Sequence, residues 1–139
     1  ACGAHETLLL DRAAPDFSAY KGHFDLVFDP VGGPAVMPAL RTLRWGGRYL
    51  IIGFVAGAPV SVPLNRLLLA GTEVIGVRAG AYARQVPGSG PHHLRAIDGL
   101  AAEGKINPFI GLRVPLDRAD EAFAAMASGT LVGKAVVTI

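Results

Sequence analysis

The chain has 139 residues, of which 51% are hydrophobic and 17% charged, a balance typical of a folded domain with a buried core rather than of a disordered tail. Thirteen basic and eleven acidic residues leave a formal charge of only +2, so we expect no nucleic-acid partner. No apolar run approaches the roughly 20 residues of a membrane helix. We therefore expect no membrane segment. The single cysteine, Cys2, excludes an internal disulfide, so we expect a cytoplasmic protein.

Strand and helix signals alternate along the first half of the chain. The nearly continuous apolar run at 48–55 predicts a strand that is buried on both faces, which is typical of a parallel sheet. Pro34 favours the start of a helix, and Gly46 and Gly47 favour its end. The predicted elements are, in order, a strand-like apolar run at 7–10, a strand at 24–28, a helix at 35–44, a strand at 48–55, a helix at 65–70 and a strand at 72–78.

The second half continues the alternation. Pro91 is predicted to open a helix that Gly104 stops, and Asp117 is predicted to cap a final helix that ends at Gly129. Strands are predicted at 108–114 and 135–139. Strands separated by helices predict an α/β fold with a parallel sheet.

Three predicted strands end in segments that contain glycine, at 29–33, 53–57 and 77–81. In open α/β sheets, ligands bind at the carboxyl ends of the strands, and glycine lets the backbone approach a flat ligand because it has no Cβ. Each segment alone is better explained as an ordinary strand-to-helix turn. Together, the three segments indicate a nucleotide-binding crevice.

Other kinds of site find little support. His92 and His93 are adjacent and point about 100° apart on a helix, which is unsuitable for chelating one ion. His5 and His23 have no partner at ligand spacing, and the chain contains neither a G-x-S-x-G elbow nor a phosphate loop. We therefore predict no metal and assign no catalytic residue.

Several sequence segments resemble motifs of the medium-chain dehydrogenases/reductases. The resemblance is strongest at 24–33 (FDLVFDPVGG) and 43–54 (LRWGGRYLIIGF), and it continues in the same order at 75–82, 104–108 and 133–137. Cys2-Gly3-Ala4 resembles the end of the helix before the third sheet strand. The wording of the first two segments is most similar to that of the zinc-independent NADPH:quinone oxidoreductases.

The resemblance implies a partial Rossmann fold with a doubly wound, mainly parallel sheet. In its 3-2-1-4-5-6 strand order, the chain would supply strand 3 and then strands 4, 5 and 6, without strands 1 and 2 or the glycine-rich loop. Residues 1–139 would then be the C-terminal portion of the nucleotide-binding domain, with 106–139 returning to pack on an N-terminal catalytic domain. The implied cofactor-binding residues are Asp29, Val31, Gly32, Gly53, Phe54, Val55, Val77, Ala79 and Gly80.

The implied activity is hydride transfer from NADPH, with NADH as the alternative donor, to a quinone or an activated alkene. The family often has a tyrosine near the cofactor adenosine, whereas this chain has Leu10-Asp11-Arg12 in that region, and an arginine there suits a 2′-phosphate. We expect the chain to be inactive alone and to form homo-oligomers through the sheet edge. Two alternatives remain. One is an S-adenosylmethionine-dependent methyltransferase-like domain, whose middle strands have a similar sequence pattern. The other is a non-catalytic remnant that associates through its sheet edges.

Overall fold

The computed structural model describes residues 3–57 and 59–139 of the chain. It divides into two compact units, one formed by His5–Gln85 and the other built on Val86–Ile139. Cys2 lies outside the described residues, as does its part of the Cys2-Gly3-Ala4 phrase. Within the described part of the chain, no helix is both long enough and apolar enough to cross a bilayer.

The first unit contains a three-stranded parallel sheet. Its strands are β1 (Phe24–Asp29), β2 (Leu43–Ile51) and β3 (Glu73–Gly76), in the order β1-β2-β3. This order matches strands 4, 5 and 6 of the implied Rossmann sheet, and the prediction of an α/β fold with a parallel sheet is confirmed. At the carboxyl edge, Asp29 lies opposite Ile51, and Ile51 lies opposite Gly76. The three strands therefore end at one edge of the sheet.

Three helices accompany this sheet: α1 (Val36–Leu40), α2 (Leu64–Ala70) and α3 (Ala79–Gln85). A 3₁₀ turn at Gly33–Ala35 leads into α1. Helix α2 was predicted within one residue, and it ends at Gly71, whose φ of +59° is the left-handed conformation that favours glycine. Helix α1 packs its buried Ala39 and Leu40 against Leu43 and Tyr49 of β2, which forms the core of the unit.

The predicted boundary between α1 and β2 is wrong. The helix ends at Leu40 rather than at Arg44, and the strand begins at Leu43 rather than at Arg48. The cause lies in Thr42, which is buried: its hydroxyl donates to the carbonyl of Ala39, and its own carbonyl accepts the amides of His23 and Phe24. These bonds turn the backbone out of the helix and into the ladder beside β1.

Gly46 and Gly47 therefore interrupt a strand instead of ending a helix. The β1–β2 register passes from Phe24 opposite Leu43 to Leu26 opposite Arg48, so residues 44–47 form an irregularity in β2. Gly46 has a φ of +74° there, a conformation that glycine adopts at little cost. The strand also ends at Ile51, earlier than predicted, so that residues 52–55 follow it.

The apolar run at 7–10 is not a strand. None of its residues has regular secondary structure, and the side chain of Leu9 is fully exposed. A strand needs a neighbour to accept and donate its backbone hydrogen bonds. In the implied sheet order, strand 3 pairs only with strand 2, and no such strand is present among the described residues.

Strand β3 is shorter than predicted, and the helix after it was not predicted. The strand ends at Gly76, and Ala79 and Gly80, expected in the segment after a strand, instead form the first turn of α3. The missed signal is the alanine-rich stretch from 79 onward, since alanine has the highest helix propensity.

The second unit contains α4 (Ser89–Ala102), β4 (Ile110–Pro115), α5 (Ala119–Ala127) and β5 (Lys134–Thr138). Strands β4 and β5 pair in parallel and form a separate two-stranded sheet. The four elements were predicted in this order, but Asp117 does not cap α5. It lies in the 3₁₀ turn Leu116–Arg118, and Arg118, at the N-cap position, instead binds Glu121 through two of its guanidinium nitrogens.

Candidate functional site

The segments that follow the three parallel strands are joined by backbone hydrogen bonds. The amide of Ile52 donates to the carbonyl of Asp29, and the amide of Val77 donates to the carbonyl of Ile51, both at 2.9 Å. The amide of Ala56 donates to the carbonyl of Val31 at 2.9 Å. The glycine-bearing segments after β1 and β2 are thus held side by side, and the segment after β3 begins next to them.

A groove of about 530 Å³ lies along the first two of these segments. Its volume falls in the range of small-molecule sites, about 300–1,000 Å³. Of the predicted cofactor-binding residues, it contains Asp29, Val31, Gly32 and Val55. The groove extends to Leu10, Asp11 and Arg12, the segment that stands where the family often has a tyrosine. The rest of the wall consists of Pro15, Phe17, Val27, Phe28, Pro30, Pro34, Ala35, Ala39, Tyr49 and Ala56.

The other five predicted residues lie elsewhere at the same edge of the sheet. Gly53 and Phe54 line a smaller cavity of about 50 Å³, which also reaches Asp29 and Gly32. Val77 is half-buried, whereas Ala79 and Gly80 are exposed on α3. Val77, Ala79 and Gly80 are not part of the wall of either cavity.

The turn after β1 requires glycine at two successive positions. Gly32 and Gly33 have φ values of +71° and +67°, in the left-handed region. A Cβ at Gly33 would lie 2.8 Å from the Cβ of Ala56, too close for two carbon atoms. On the neighbouring segment, a Cβ at Gly53 would lie 3.0 Å from the carbonyl oxygen of Pro30. Glycine therefore lets the two segments approach each other closely.

The Asp29 carboxylate organises this turn. One oxygen, Oδ1, accepts the amides of Val31 at 2.8 Å and Gly32 at 2.9 Å. The other, Oδ2, accepts the hydroxyl of Tyr49 at 2.5 Å. Asp29 was predicted as a cofactor-binding residue, and both of its carboxylate oxygens are engaged within the chain.

Tyr49 is a residue of this site that the sequence reasoning missed. Its side chain, on β2, is 1% exposed, and burial, with the hydrogen bond to Asp29 as a second cause, raises its pKa well above the ordinary value. The available signal was a phenol within the predicted strand at 48–55, because a buried tyrosine hydroxyl needs a hydrogen-bond partner. The sequence alone could not identify that partner as a residue 20 positions upstream.

The structure shows no metal-binding cluster in the part of the chain that it describes: nowhere there do three or more His, Cys, Asp or Glu side chains gather in an arrangement that could hold an ion. His92 and His93 lie on α4, with ring centroids 5.9 Å apart.

The parallel α/β sheet, with glycine turns and a groove at its carboxyl edge, defines a Rossmann-type nucleotide-binding architecture. A model of the zinc-binding dehydrogenase family matches residues 2–137, and the chain belongs to this family, within the medium-chain dehydrogenases/reductases.

Individual relatives agree with this assignment. Quinone oxidoreductase-like protein 2 of Bos taurus is 32% identical over 118 residues, which make up 85% of this chain and 34% of that protein. An acryloyl-coenzyme A reductase of Metallosphaera sedula is 31% identical over 121 residues, 86% of this chain and 34% of that protein. The solved structure of a mycobacterial protein complexed with NADPH shares the fold, with a TM-score of 0.67 at 23% identity over 86% of this chain and 36% of that one. The chain spans about a third of the length of these relatives.

Proposed function

We propose that the chain forms one wall of the cofactor site of an NADPH-dependent oxidoreductase that reduces a quinone or an activated alkene. The observation that carries the proposal is the meeting of three parallel strand ends at one edge of the sheet, beside a groove whose wall includes Gly32, a glycine with a left-handed φ. Support comes from relatives named for quinone oxidoreduction and for acryloyl-coenzyme A reduction. The family assignment favours this proposal over the methyltransferase alternative.

The residues of the groove are suited to positioning rather than to proton transfer. Val31 and Val55 give the groove an apolar surface that disfavours water. Gly33 and Gly53 let the two segments behind this surface approach each other closely. Asp29 and Tyr49 are already hydrogen-bonded to each other, so neither is free to act as an acid or a base. A bound nicotinamide cofactor supplies the hydride. We propose that Asp29, Val31, Gly32, Gly53, Phe54, Val55, Val77, Ala79 and Gly80 form its binding surface.

The far end of the groove favours NADPH over NADH in this proposal. Arg12 contributes to the wall there, and a guanidinium is well suited to hold a 2′-phosphate. The neighbouring carboxylate, Asp11, accepts the amide of Ala13 at 2.8 Å. NADPH is also the cofactor in the mycobacterial structure that shares the fold.

We further propose that this site is completed by protein segments other than those of the chain. The second unit contains its own two-stranded sheet, and we propose that residues 106–139 pack on a catalytic domain. Strands β1 and β3 each pair only with β2 among the described strands, which leaves one edge of each for further strands or for a second copy of the chain.

Saturation-transfer NMR tests this proposal because it detects weak binding to an incomplete site. We expect the chain to bind NADPH, to bind NADH more weakly and not to bind S-adenosylmethionine. Arg12→Ala should weaken NADPH binding and leave NADH binding unchanged, with Arg95→Ala on α4 as the matched control. Binding of S-adenosylmethionine but not of NADPH would support the methyltransferase alternative. If the chain binds neither compound, the result would support the non-catalytic remnant.

The isolated chain is expected to bind NADPH without oxidising it. Spectrophotometry of NADPH in the presence of a quinone or of acryloyl-coenzyme A should show no turnover above the uncatalysed rate. Turnover by the chain alone would contradict the proposal that other segments complete the site.

A further inference from the structure

The pair formed by Asp29 and Tyr49 links the groove to the core of the first unit. Tyr49 belongs to the buried cluster with Ala39, Leu40 and Leu43, so its ring has little freedom to move. Its hydroxyl donates to Asp29 Oδ2, while Oδ1 of the same carboxylate accepts two amides of the following turn. The groove-lining turn is thus connected through one carboxylate to a fixed side chain.

Apart from this carboxylate, the turn is restrained by one backbone hydrogen bond and by the packing of its two buried glycines against the segment after β2. Val31 is 47% exposed, and the turn uses two glycines in succession, which have the greatest backbone freedom of any residue. The amide of Ala56 reaches the carbonyl of Val31, but Ala56 itself is exposed and lies in a turn. A hydrogen bond from a buried phenol to an ionised carboxylate is among the stronger kinds in proteins. This bond can therefore decide how well the turn keeps its shape.

We propose that Tyr49 is a positioning residue, which acts through Asp29 to hold the turn at 29–33 in the shape that receives the nicotinamide half of the cofactor. The inference rests on the proposed function and adds to it a residue that need not touch the cofactor. It also gives Asp29 a second role besides lining the groove, because its two carboxylate oxygens hold the amides of the turn and the Tyr49 hydroxyl.

The test combines amide hydrogen exchange with binding of two halves of the cofactor. In Tyr49→Phe, which keeps the ring and removes only the hydroxyl, exchange at Val31 and Gly32 should become about five- to tenfold faster, as expected for the loss of one hydrogen bond. Exchange at Ile52, whose amide binds the backbone carbonyl of Asp29, should change less. Affinity for reduced nicotinamide mononucleotide should fall severalfold, while affinity for 2′,5′-ADP should not change.

Two further variants separate positioning from a general loss of structure. Tyr20→Phe removes a hydroxyl that donates to Glu6 outside the groove, and it should leave all of these quantities unchanged. Asp29→Asn retains an oxygen for the two amides and gains a nitrogen that can donate to the Tyr49 oxygen, so it should preserve slow exchange at Val31 and Gly32.

Each outcome is decisive. The inference is supported if Tyr49→Phe lowers the affinity for reduced nicotinamide mononucleotide but not for 2′,5′-ADP, and also speeds amide exchange in the turn. It is overturned if exchange does not change, or if both half-cofactors lose affinity equally, as a purely structural role predicts. A wild-type chain that binds neither half overturns the proposed function and this inference together.

Discussion

Gly22 and Gly33 have the same positive φ of +67° but different surroundings. A Cβ at Gly22 would have no heavy atom within 4 Å, whereas one at Gly33 would meet the Cβ of Ala56 at 2.8 Å. Conformation alone explains glycine at the first position. At Gly33, packing against the next strand end adds a second and independent reason.

Gly33→Ala should therefore destabilise the chain more than Gly22→Ala does. The left-handed conformation costs each alanine about 1–2 kcal/mol, and the close contact should add about 1–3 kcal/mol at Gly33 only. Urea unfolding followed by the fluorescence of Trp45, in an osmolyte that favours the folded state, measures the difference. Restoring space with Ala56→Gly should recover the added part, and equal losses in the two single variants would contradict the packing argument.

Tyr49 should be the last tyrosine of the folded chain to ionise. Its folded-state pKa is raised by burial and by the bond to Asp29, so the stability given by the neutral phenol is complete below the ordinary pKa of about 10 and is lost as the pH rises further. Alkaline titration of phenolate absorbance should lose its highest step in Tyr49→Phe and a lower step in Tyr20→Phe. Loss of the same step in both variants would show that Tyr49 is not buried as described.

At the scale of elements, the errors of sequence reasoning have a common physical origin. The strand at 24–28 and the helix at 65–70 were predicted because apolar periodicity and turn residues define them locally. The boundary at Thr42 was missed because it depends on hydrogen bonds to His23 and Phe24, about twenty residues away. The run at 7–10 was predicted as a strand from its composition, but a strand exists only beside a partner.

Gly71 joins two elements, because it ends α2 and supports the irregular start of β2. Its carbonyl accepts the amide of Gly46, and a Cβ on Gly71 would lie 2.6 Å from the ring of Trp45. Gly71→Ala should displace that ring and change the emission of Trp45, the only tryptophan. Gly104→Ala, at the left-handed glycine after α4, meets no heavy atom within 4 Å and should leave the emission unchanged. An unchanged spectrum in Gly71→Ala would contradict the contact.

At the scale of the whole molecule, the family and the parallel α/β architecture could be predicted from the sequence, because ordered phrases such as DPVGG and GGRYLIIGF extend along most of the chain. The meeting of three strand ends at one edge of the sheet was predicted as well, since parallel strands bring their carboxyl ends to one edge. The Asp29–Tyr49 bond was not, because it joins two strands whose relative register the sequence does not specify. The division between the two units at 85–86 was not predicted either, because no local sequence signal marks it.

The isolated chain should unfold over a broad temperature range. Leu26 and Phe28, on the edge strand β1, are 51% and 63% exposed, so apolar surface remains in contact with water. Far-UV circular dichroism, which reports both units, and Trp45 fluorescence, which reports the first unit, should give different midpoints that shift with protein concentration. A single sharp transition that is independent of concentration would show that the chain is a stable domain by itself.

We propose that the segments after β1, β2 and β3 form one wall of a nicotinamide-nucleotide site. Mapping of backbone amide chemical shifts during titration of the ¹⁵N-labelled chain with NADPH tests it most directly. The largest shifts are predicted at 31–33, 53–56 and 77–80, with smaller shifts at 10–12. Shifts confined to residues 86–139, or scattered without relation to the three strand ends, would contradict it.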